Sequence, residues 1–311
     1  MIRRAYTRSM FVVMLAPLCW AGNFVLAKHL QNEVTTIQLN FWRWLLAFLI
    51  LTPFVIKDIG PLWRDMVRNL PILSAQALTG IAVYHCLVYF ALKSTSAINA
   101  TLINSLVPML IPVFSYIAFR QHLVWKHWLA IVLSTLGVAL VVTQGDVDRV
   151  SHLHVVAGDL LMVAAAMTWA IYTLLLSQKP PTISGIRFLW CLSFIGTLLM
   201  MPVLVVDLVM HGSFPNTFPN WLSVGYVAVF AAVIAFLAWN YGATKFPAPH
   251  LGMFAHLIPV FGSLLAIAFL GETFRWFHAV GMSLIGISLW IVFTQTTMDG
   301  PSVTLKTLHG R

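Results

Sequence analysis

The sequence predicts an all-α integral membrane protein with about ten transmembrane helices, arranged as two inverted five-helix repeats. Three observations lead to this fold class. Apolar residues make up 60% and charged residues 9% of the 311 positions, against about 45–50% and about 25% in a soluble domain. Ten apolar runs are long enough to cross a bilayer, and the second half of the chain repeats parts of the first. So few charged side chains cannot cover a water-facing surface, which excludes a soluble fold.

Each apolar run approaches the roughly 20 residues that a transmembrane helix requires. Charged or proline- and glycine-rich stretches separate most of the runs, as expected of connections. The basic segment 1–8 leads into the first run without an Ala-x-Ala-like end, so this run is predicted to be a retained span and not a cleaved signal peptide. The predicted spans 1 to 10 cover residues 10–29, 36–56, 71–92, 97–119, 125–143, 155–177, 184–206, 221–244, 250–270 and 276–295.

The lysines and arginines predict the orientation in the membrane. If the N-terminus is cytoplasmic, twelve of them fall in inner segments and four in outer segments, while Arg43 and Arg187 lie within or at the edge of spans. The positive-inside rule therefore predicts that both termini are cytoplasmic. We expect a multi-pass protein of a bacterial inner (plasma) membrane. The basic residues form no dense patch, so no nucleic-acid partner is predicted despite the net charge of +9.

The internal repeat appears at two closely similar shifts. A shift of 151, without a gap, aligns identical residues of spans 4 and 5 with spans 9 and 10, among them Pro108 with Pro259. A shift of 149 brings Trp20 onto Trp169. Because five is an odd number of spans, the second repeat, residues 146–311, starts on the opposite side of the membrane from the first, residues 1–145. Inverted repeats are a common transporter construction, with the site near mid-membrane between the repeats.

Short motifs lie in both halves at residues 19–24, 90–97, 106–108, 158–161, 167–172, 239–240, 258–261 and 270–272. In their order and spacing these motifs resemble the EamA family of the drug/metabolite transporter superfamily, and together they cover most of both halves. The resemblance implies two inverted five-helix bundles around a central cavity and, as in the ten-span metabolite exporters, export of amino acids or other metabolites. The first half departs from the pattern at Arg120-Gln121-His122, where the second half keeps Gly271-Glu272, which weakens a mechanistic role for Glu272.

Polar and aromatic side chains within the spans are the candidate substrate-binding residues. An unsatisfied polar group in the hydrocarbon region is costly, so these groups should face a cavity or a partner. The 151 shift matches Ser105 with His256, which predicts that spans 4 and 9 both line the cavity. The candidates are Trp20, Asn23, Arg43, Tyr84, His85, Asn104, Ser105, Trp169, Tyr172, Trp239, Asn240 and His256. Tyr89 of span 3 and Trp190 of span 7 are further side chains of this kind.

Arg43 is the sharpest of these signals, since it lies about seven residues into its span and so roughly 10 Å deep. Its guanidinium suits a substrate carboxylate or phosphate. The alternative is snorkelling towards the interface or a bond to a backbone carbonyl.

The other candidates also have structural alternatives. His85 and His256 are suited to proton transfer, but a helix-to-helix hydrogen bond would satisfy them equally. The tryptophans and tyrosines belong either to the cavity or to an interfacial belt. Pro108 and Pro259 are candidate hinges, or they mark fixed bends.

The predicted function is secondary transport: export of a small zwitterionic or anionic metabolite, such as an amino acid, by alternating access. A channel or lipid flippase is the alternative. Span 1 has no carboxylate for a multidrug cation. No metalloprotease, nucleophile-elbow or phosphate-loop motif is present, so neither an enzyme nor direct use of ATP is predicted. The expected partners are the lipid bilayer and the substrate. Coupling would come either from an ion gradient, with the proton as the candidate ion, or from substrate exchange. No cofactor or metal is predicted, because Cys19, Cys86 and Cys191 lack metal-ligand spacing.

Overall fold

The computed structural model describes residues 2–30, 34–95, 97–120, 123–146, 156–270 and 273–296. Over these residues the regular structure is helical, with no strand. In this part of the chain, nine continuous helical segments, some of them made of consecutive shorter helices, are long and apolar enough to cross a membrane. The remaining expected span, span 1, corresponds to the 29-residue helix Ile2–Leu30. The all-α membrane fold class is confirmed.

The helices follow the predicted spans closely. Span 5 was predicted at residues 125–143 and is the helix Trp125–Thr143. Spans 4 and 5 end at Arg120 and Gln144, which adopt positive φ angles of 55° and 59°, a left-handed conformation that terminates helices. In order, the α-helices are Ile2–Leu30, Thr36–Val55, Ile59–Arg68, Leu70–Ala77, Tyr84–Leu92, Ala97–Asn104, Val107–Phe119, Trp125–Thr143, Ala157–Leu175, Gly185–His211, Phe218–Tyr226, Ala235–Ala243, Ala248–Met253, Leu257–Leu270 and Trp276–Thr296.

One helix lies in a segment that the sequence predicted to be a connection. Residues 57–68, between spans 2 and 3, contain the helix Ile59–Arg68. Leu62 and Met66 are buried on one face, whereas Trp63 is exposed on the other. Apolar residues four apart share one side of a helix, so this segment is an amphipathic helix packed against the bundle.

Spans 3, 4, 8 and 9 are interrupted at positions that correspond in the two halves. Spans 3 and 8 contain π-helical segments, Leu78–Val83 and Val227–Ile234, which end 151 residues apart (234 − 83 = 151). Span 4 is broken at residues 105–106, and span 9 contains the 3-10 turn Phe254–His256. Interrupted helices expose backbone groups that continuous helices satisfy internally.

The two halves pack on each other in a symmetric pattern. Span 2 packs against span 7, span 4 against span 9 and span 5 against span 10, while span 1 packs against span 8 and span 3 against span 6. A twofold exchange of the halves turns the 1–8 pair into the 6–3 pair and leaves the other three pairs unchanged. The contacts therefore have the symmetry of the sequence repeat.

Spans 5 and 10 approach most closely through two glycines. A Cβ atom added to Gly137 would lie 2.7 Å from the carbonyl oxygen of Gly281, and one added to Gly281 would lie 2.5 Å from a methyl group of Val141. Small residues allow close backbone approach between transmembrane helices. At this crossing of the two halves, a side chain at either glycine would displace atoms of the neighbouring helix.

Two buried carboxylates at the predicted outer face also join the halves. The Asp207 carboxylate of span 7 accepts hydrogen bonds from Thr35 Oγ1 at 2.6 Å and Gln38 Nε2 at 3.0 Å, both at the start of span 2. Asp159 of span 6 accepts from the Thr95 hydroxyl, next to span 3. These carboxylates are satisfied near the membrane surface, so they stabilise the outer ends of the helix pairs.

Candidate functional site

A cavity lies between the two halves, and five spans contribute to its wall. Six of the predicted site residues line it: Trp20, Asn23, Tyr84, His85, Asn104 and Trp169. Tyr89, also noted among the polar residues of span 3, lines it too, whereas the sequence did not predict the apolar lining residues Val88, Val107, Ala255 and Ile258. The first half therefore supplies most of the polar groups, and the second half supplies one tryptophan and apolar contacts.

Tyr89 was noted among the polar side chains of span 3, and it lies on the cavity wall with His85. Its position, one helical turn after His85 on span 3, places the two side chains on the same helix face.

Tryptophans of both halves form one aromatic cluster beside the cavity. The rings of Trp20 and Trp169 meet edge to face with centroids 5.0 Å apart, and both contact Trp239, at 5.3 Å and 5.7 Å. Trp20 Nε1 donates to the carbonyl oxygen of Ala231 at 3.1 Å. Ala231 belongs to the π-helical segment of span 8, so the interrupted helix supplies an acceptor for an indole of the other half.

Arg43 lies behind the cavity wall and not on its surface. The side chain is fully buried, so it does not extend to the interface. Its NH1 donates to Tyr89 Oη at 3.0 Å, and its NH2 lies 2.9 Å from His85 Nε2. A guanidinium can only donate, so His85 Nε2 is the acceptor and the imidazole carries its proton on Nδ1.

Among the described residues, no carboxylate forms an ion pair with Arg43. The carboxylates that do pair there are Asp58 with Arg187 and Asp207 with His211. A buried cation ordinarily requires an anionic partner or several acceptors. Tyr89 and His85 are neutral groups, and they separate the guanidinium from the cavity that both of them line. The Arg43 guanidinium also lies over the Trp44 ring, 5.3 Å from its centroid, so its partners among the described residues are neutral groups and none is a carboxylate.

A second, smaller cavity adjoins the first at the breaks of spans 4 and 9. Asn104, Ala255 and Ile258 line both cavities. His256 Nε2 lies 3.0 Å from the carbonyl oxygen of Ser105, a residue of the break in span 4. A carbonyl can only accept, so His256 donates this bond. The repeat-related pair predicted by the 151 shift thus meets directly across the interface, with Pro259 also on the cavity wall.

The prolines proposed as hinges lie just after these breaks. Pro108 falls in the first turn of the helix Val107–Phe119, and Pro259 falls in the first turn of Leu257–Leu270. A proline in the first turn removes a donor that would have no partner within the helix. Their hinge role stays a prediction.

Four predicted residues lie away from both cavities: Arg43, described above, and three residues of the second half. The hydroxyl of Tyr172 donates to Asn240 Oδ1 at 2.7 Å, deep in the second half. Trp239 is fully buried next to Asn240 in the chain. In this conformation neither cavity is lined by Tyr172, Trp239 or Asn240, nor by Arg43. Their contact with a substrate stays a prediction. Among the described residues, no group of three or more histidine, cysteine or acidic side chains could hold a metal ion.

Comparisons with known proteins place this geometry among membrane transporters. Residues 7–143 and 156–294 each match the profile of the EamA-like transporter family. An uncharacterized transporter of Bacillus subtilis (strain 168), YetK, is 26% identical over 306 residues, which cover 96% of this chain and 91% of that protein. A biotin transporter of Salmonella typhimurium is 24% identical over 291 residues, covering 91% and 92%.

A more distant relative and a solved structure extend the comparison. A protein of Streptantibioticus cattleyicolor described as a "Probable terminal-alkyne amino-acid exporter" is 19% identical over 268 residues, covering 86% of each chain. A crystal structure with 18% sequence identity superimposes with a TM-score of 0.72 and covers 94% of this chain and 99% of its own. At this identity the structure shows the shared fold alone.

Proposed function

Because the chain belongs to the EamA-like transporter family, whose profile matches both halves, we propose that it exports a small metabolite carrying a carboxylate, such as an amino acid, by alternating access. We place it in a bacterial inner membrane with both termini cytoplasmic. The halves 1–145 and 146–311 are the two elements that rearrange around the cavity.

The observation that carries this proposal is the buried charge of Arg43, which has no carboxylate partner among the described residues. The guanidinium is fully buried and bonds to Tyr89 and His85, both of which line the cavity. A buried positive charge without a carboxylate favours an anionic group nearby. A substrate carboxylate in the cavity would supply it.

Tyr89 is suited to transmit this charge to the substrate. Its oxygen accepts a hydrogen bond from Arg43, so its own O–H proton remains for donation to a substrate oxygen. A hydrogen bond in a chain that begins at a cation is polarised and strengthened. The substrate carboxylate would then meet Tyr89 directly, and it would meet Arg43 after a small rearrangement of the wall. The apolar and aromatic part of the wall would hold the rest of a small metabolite.

The substrates in the relatives' names agree with this chemistry. One relative is a biotin transporter and another is a probable exporter of an amino acid. Biotin and amino acids share a carboxylate. We therefore propose the carboxylate, and not a particular side chain, as the feature that the site recognises.

The test is uptake into vesicles containing the purified protein, with amino acids and biotin as labelled substrates. Saturable uptake is expected of a carrier, whereas flux proportional to concentration would indicate a channel. Arg43→Lys keeps the charge but loses the planar fork, so transport should fall; Arg43→Gln should reduce it further. Arg187→Gln is the matched control, because this arginine is half exposed and pairs with Asp58. Normal transport by both Arg43 variants would overturn carboxylate recognition.

A further inference from the structure

A tyrosine–asparagine pair occurs in each half, with the two residue types exchanged. After the π-helical segments, the helices Tyr84–Leu92 and Ala235–Ala243 begin and end 151 residues apart (235 − 84 = 151 and 243 − 92 = 151). In this register Tyr89 corresponds to Asn240. The 149 shift that aligns Trp20 with Trp169 makes Asn23 correspond to Tyr172. The two pairs are therefore Tyr172 with Asn240, and Asn23 with Tyr89.

The two pairs are in different states. In the second half, the Tyr172 hydroxyl donates to Asn240 Oδ1 at 2.7 Å, and both side chains are buried. In the first half, Asn23 and Tyr89 line the cavity. Asn23 Oδ1 has no hydrogen-bond partner among the described residues although it is buried. A hydrogen bond joins one pair, and Asn23 Oδ1 of the counterpart pair is not hydrogen-bonded to Tyr89.

The predicted depths place the pairs on opposite sides of the cavity. Asn23 and Tyr89 lie towards the predicted outer ends of spans 1 and 3. Tyr172 and Asn240 lie towards the predicted cytoplasmic ends of spans 6 and 8. In a protein with inverted repeats, the opposite-facing state is obtained when each half adopts the conformation of the other.

We propose that these pairs are the two gates of the transport cycle. Tyr172–Asn240 closes the cytoplasmic side in the conformation seen here. Asn23–Tyr89 closes the outer side in the opposite conformation, in which the Tyr172–Asn240 bond is broken. This inference rests on the proposed alternating access, but it is independent of the substrate.

The chemistry of the open pair fits the bond that it would form. Tyr89 accepts from Arg43 and retains its O–H proton as a donor. Asn23 Oδ1 is an acceptor that lacks a partner among the described residues. Closing the outer gate would join this donor to this acceptor without breaking the bond to Arg43. A buried acceptor left without a partner is costly, which favours closure once the cavity is empty.

The packing around the closed gate is matched to the size of its tyrosine. A Cβ atom added to Gly80 would lie 2.5 Å from the ring of Tyr172, so only glycine leaves room for the ring there. The residue equivalent to Gly80 in the other half is Ala231 (80 + 151). At the other gate, Ala231 takes the position of Gly80, and Asn23, which is smaller than tyrosine, takes the position of Tyr172. The larger gate side chain, Tyr172, is thus matched with the smaller residue, Gly80.

The test uses one reporter cysteine in the cavity of the full-length protein. Cys19, Cys86 and Cys191 are replaced by serine, and Val88→Cys, on the cavity wall, is labelled with a membrane-impermeant maleimide. Right-side-out and inside-out vesicles are labelled separately. The ratio of outer to inner labelling rates then reports the two conformations.

Weakening one gate should favour the conformation in which the other is closed. Tyr172→Phe and Asn240→Ala should each shift the labelling ratio several-fold towards the inner side, as expected for the loss of one hydrogen bond. Asn23→Ala should shift it several-fold towards the outer side. Tyr241→Phe is the control. Tyr241 lies on the same span as Asn240, but its hydroxyl is hydrogen-bonded to Ser9. The labelling ratio of this variant should equal that of the protein with the Val88→Cys reporter alone.

Opposite shifts separate gating from general loss of stability, which would not change sign between the two pairs. If Tyr172→Phe does not insert, Asn240→Ala tests the same bond. Shifts in the same direction, or none, would overturn the gate assignment. Labelling from both sides at equal rates in every variant would instead indicate an open pore and overturn alternating access. Expected shifts combined with normal transport by the Arg43 variants would leave the gates intact and remove only carboxylate recognition.

Discussion

Trp20 and Trp169 occupy equivalent positions in the two halves, and their rings meet edge to face with centroids 5.0 Å apart. Two residues that exchange under a twofold rotation and also touch must lie next to its axis. Both line the cavity. The axis that relates the halves therefore passes through the cavity wall, at the point where a substrate would contact both halves at once.

The tryptophan pair should be important for both folding and transport. Trp169→Ala should lower the free energy of unfolding by about 3–5 kcal/mol, as for other buried tryptophans replaced by alanine. Trp169→Phe should cost less, because a smaller ring retains part of the edge-to-face contact. Thermal unfolding in detergent micelles measures the stability, and vesicle uptake measures transport.

A lipid-facing tryptophan provides the control for this pair. Trp290 is 68% exposed on span 10, and Trp290→Phe should leave both measurements unchanged. Equal effects at Trp169 and Trp290 would contradict a special role for the pair.

The glycine crossing of spans 5 and 10 should not accept a methyl group. Gly137→Ala places Cβ 2.7 Å from the Gly281 carbonyl oxygen, and a backbone atom cannot rotate away as a side chain can. The expected loss of stability is about 1–3 kcal/mol, the usual cost of overpacking. Gly286 lies on span 10, the span of Gly281, and an added Cβ atom there would have nothing within 4 Å, so Gly286→Ala should have no such cost. Comparison of the two melting temperatures tests the crossing, and equal values would show that the helices separate freely.

The orientation has its own test. The twelve-to-four distribution of lysines and arginines predicts that the segment 145–155 faces the outer side of the membrane and that Lys179 is cytoplasmic. In the cysteine-free background, a cysteine in place of Asp148 should be labelled on intact cells. A cysteine in place of Lys179 should be labelled only after the cytoplasmic face is opened. The reverse pattern would invert the assignment of both gates to their sides.

The sequence predicted the spans well because hydropathy is a local property. The helix Trp125–Thr143 begins and ends where its apolar run does. The π-helical segments were not predicted, because their composition is as apolar as that of the surrounding helix and only the hydrogen-bond register differs. The amphipathic helix Ile59–Arg68 was also missed, since its charged residues are typical of a connection.

The candidate site was predicted in part. Depth in the membrane marked Arg43 as a residue that needs a partner, and the structure shows it buried and hydrogen-bonded. Its partners, Tyr89 and His85, depend on how span 2 faces span 3, which no local pattern contains. For the same reason the sequence placed Tyr172 and Asn240 among cavity residues, whereas here they bond to each other.

The π-helical segments also bear on the origin of the chain. A π-helical turn holds more residues than an α-helical turn, and such segments are rare. Here Leu78–Val83 and Val227–Ile234 end at matching positions, and each is followed by a helix of nine residues. If the two segments had arisen independently, two separate insertions would have had to occur at equivalent positions of the two halves. The common position indicates that the irregular turn was already present in an ancestral five-helix protein before its gene was duplicated and fused.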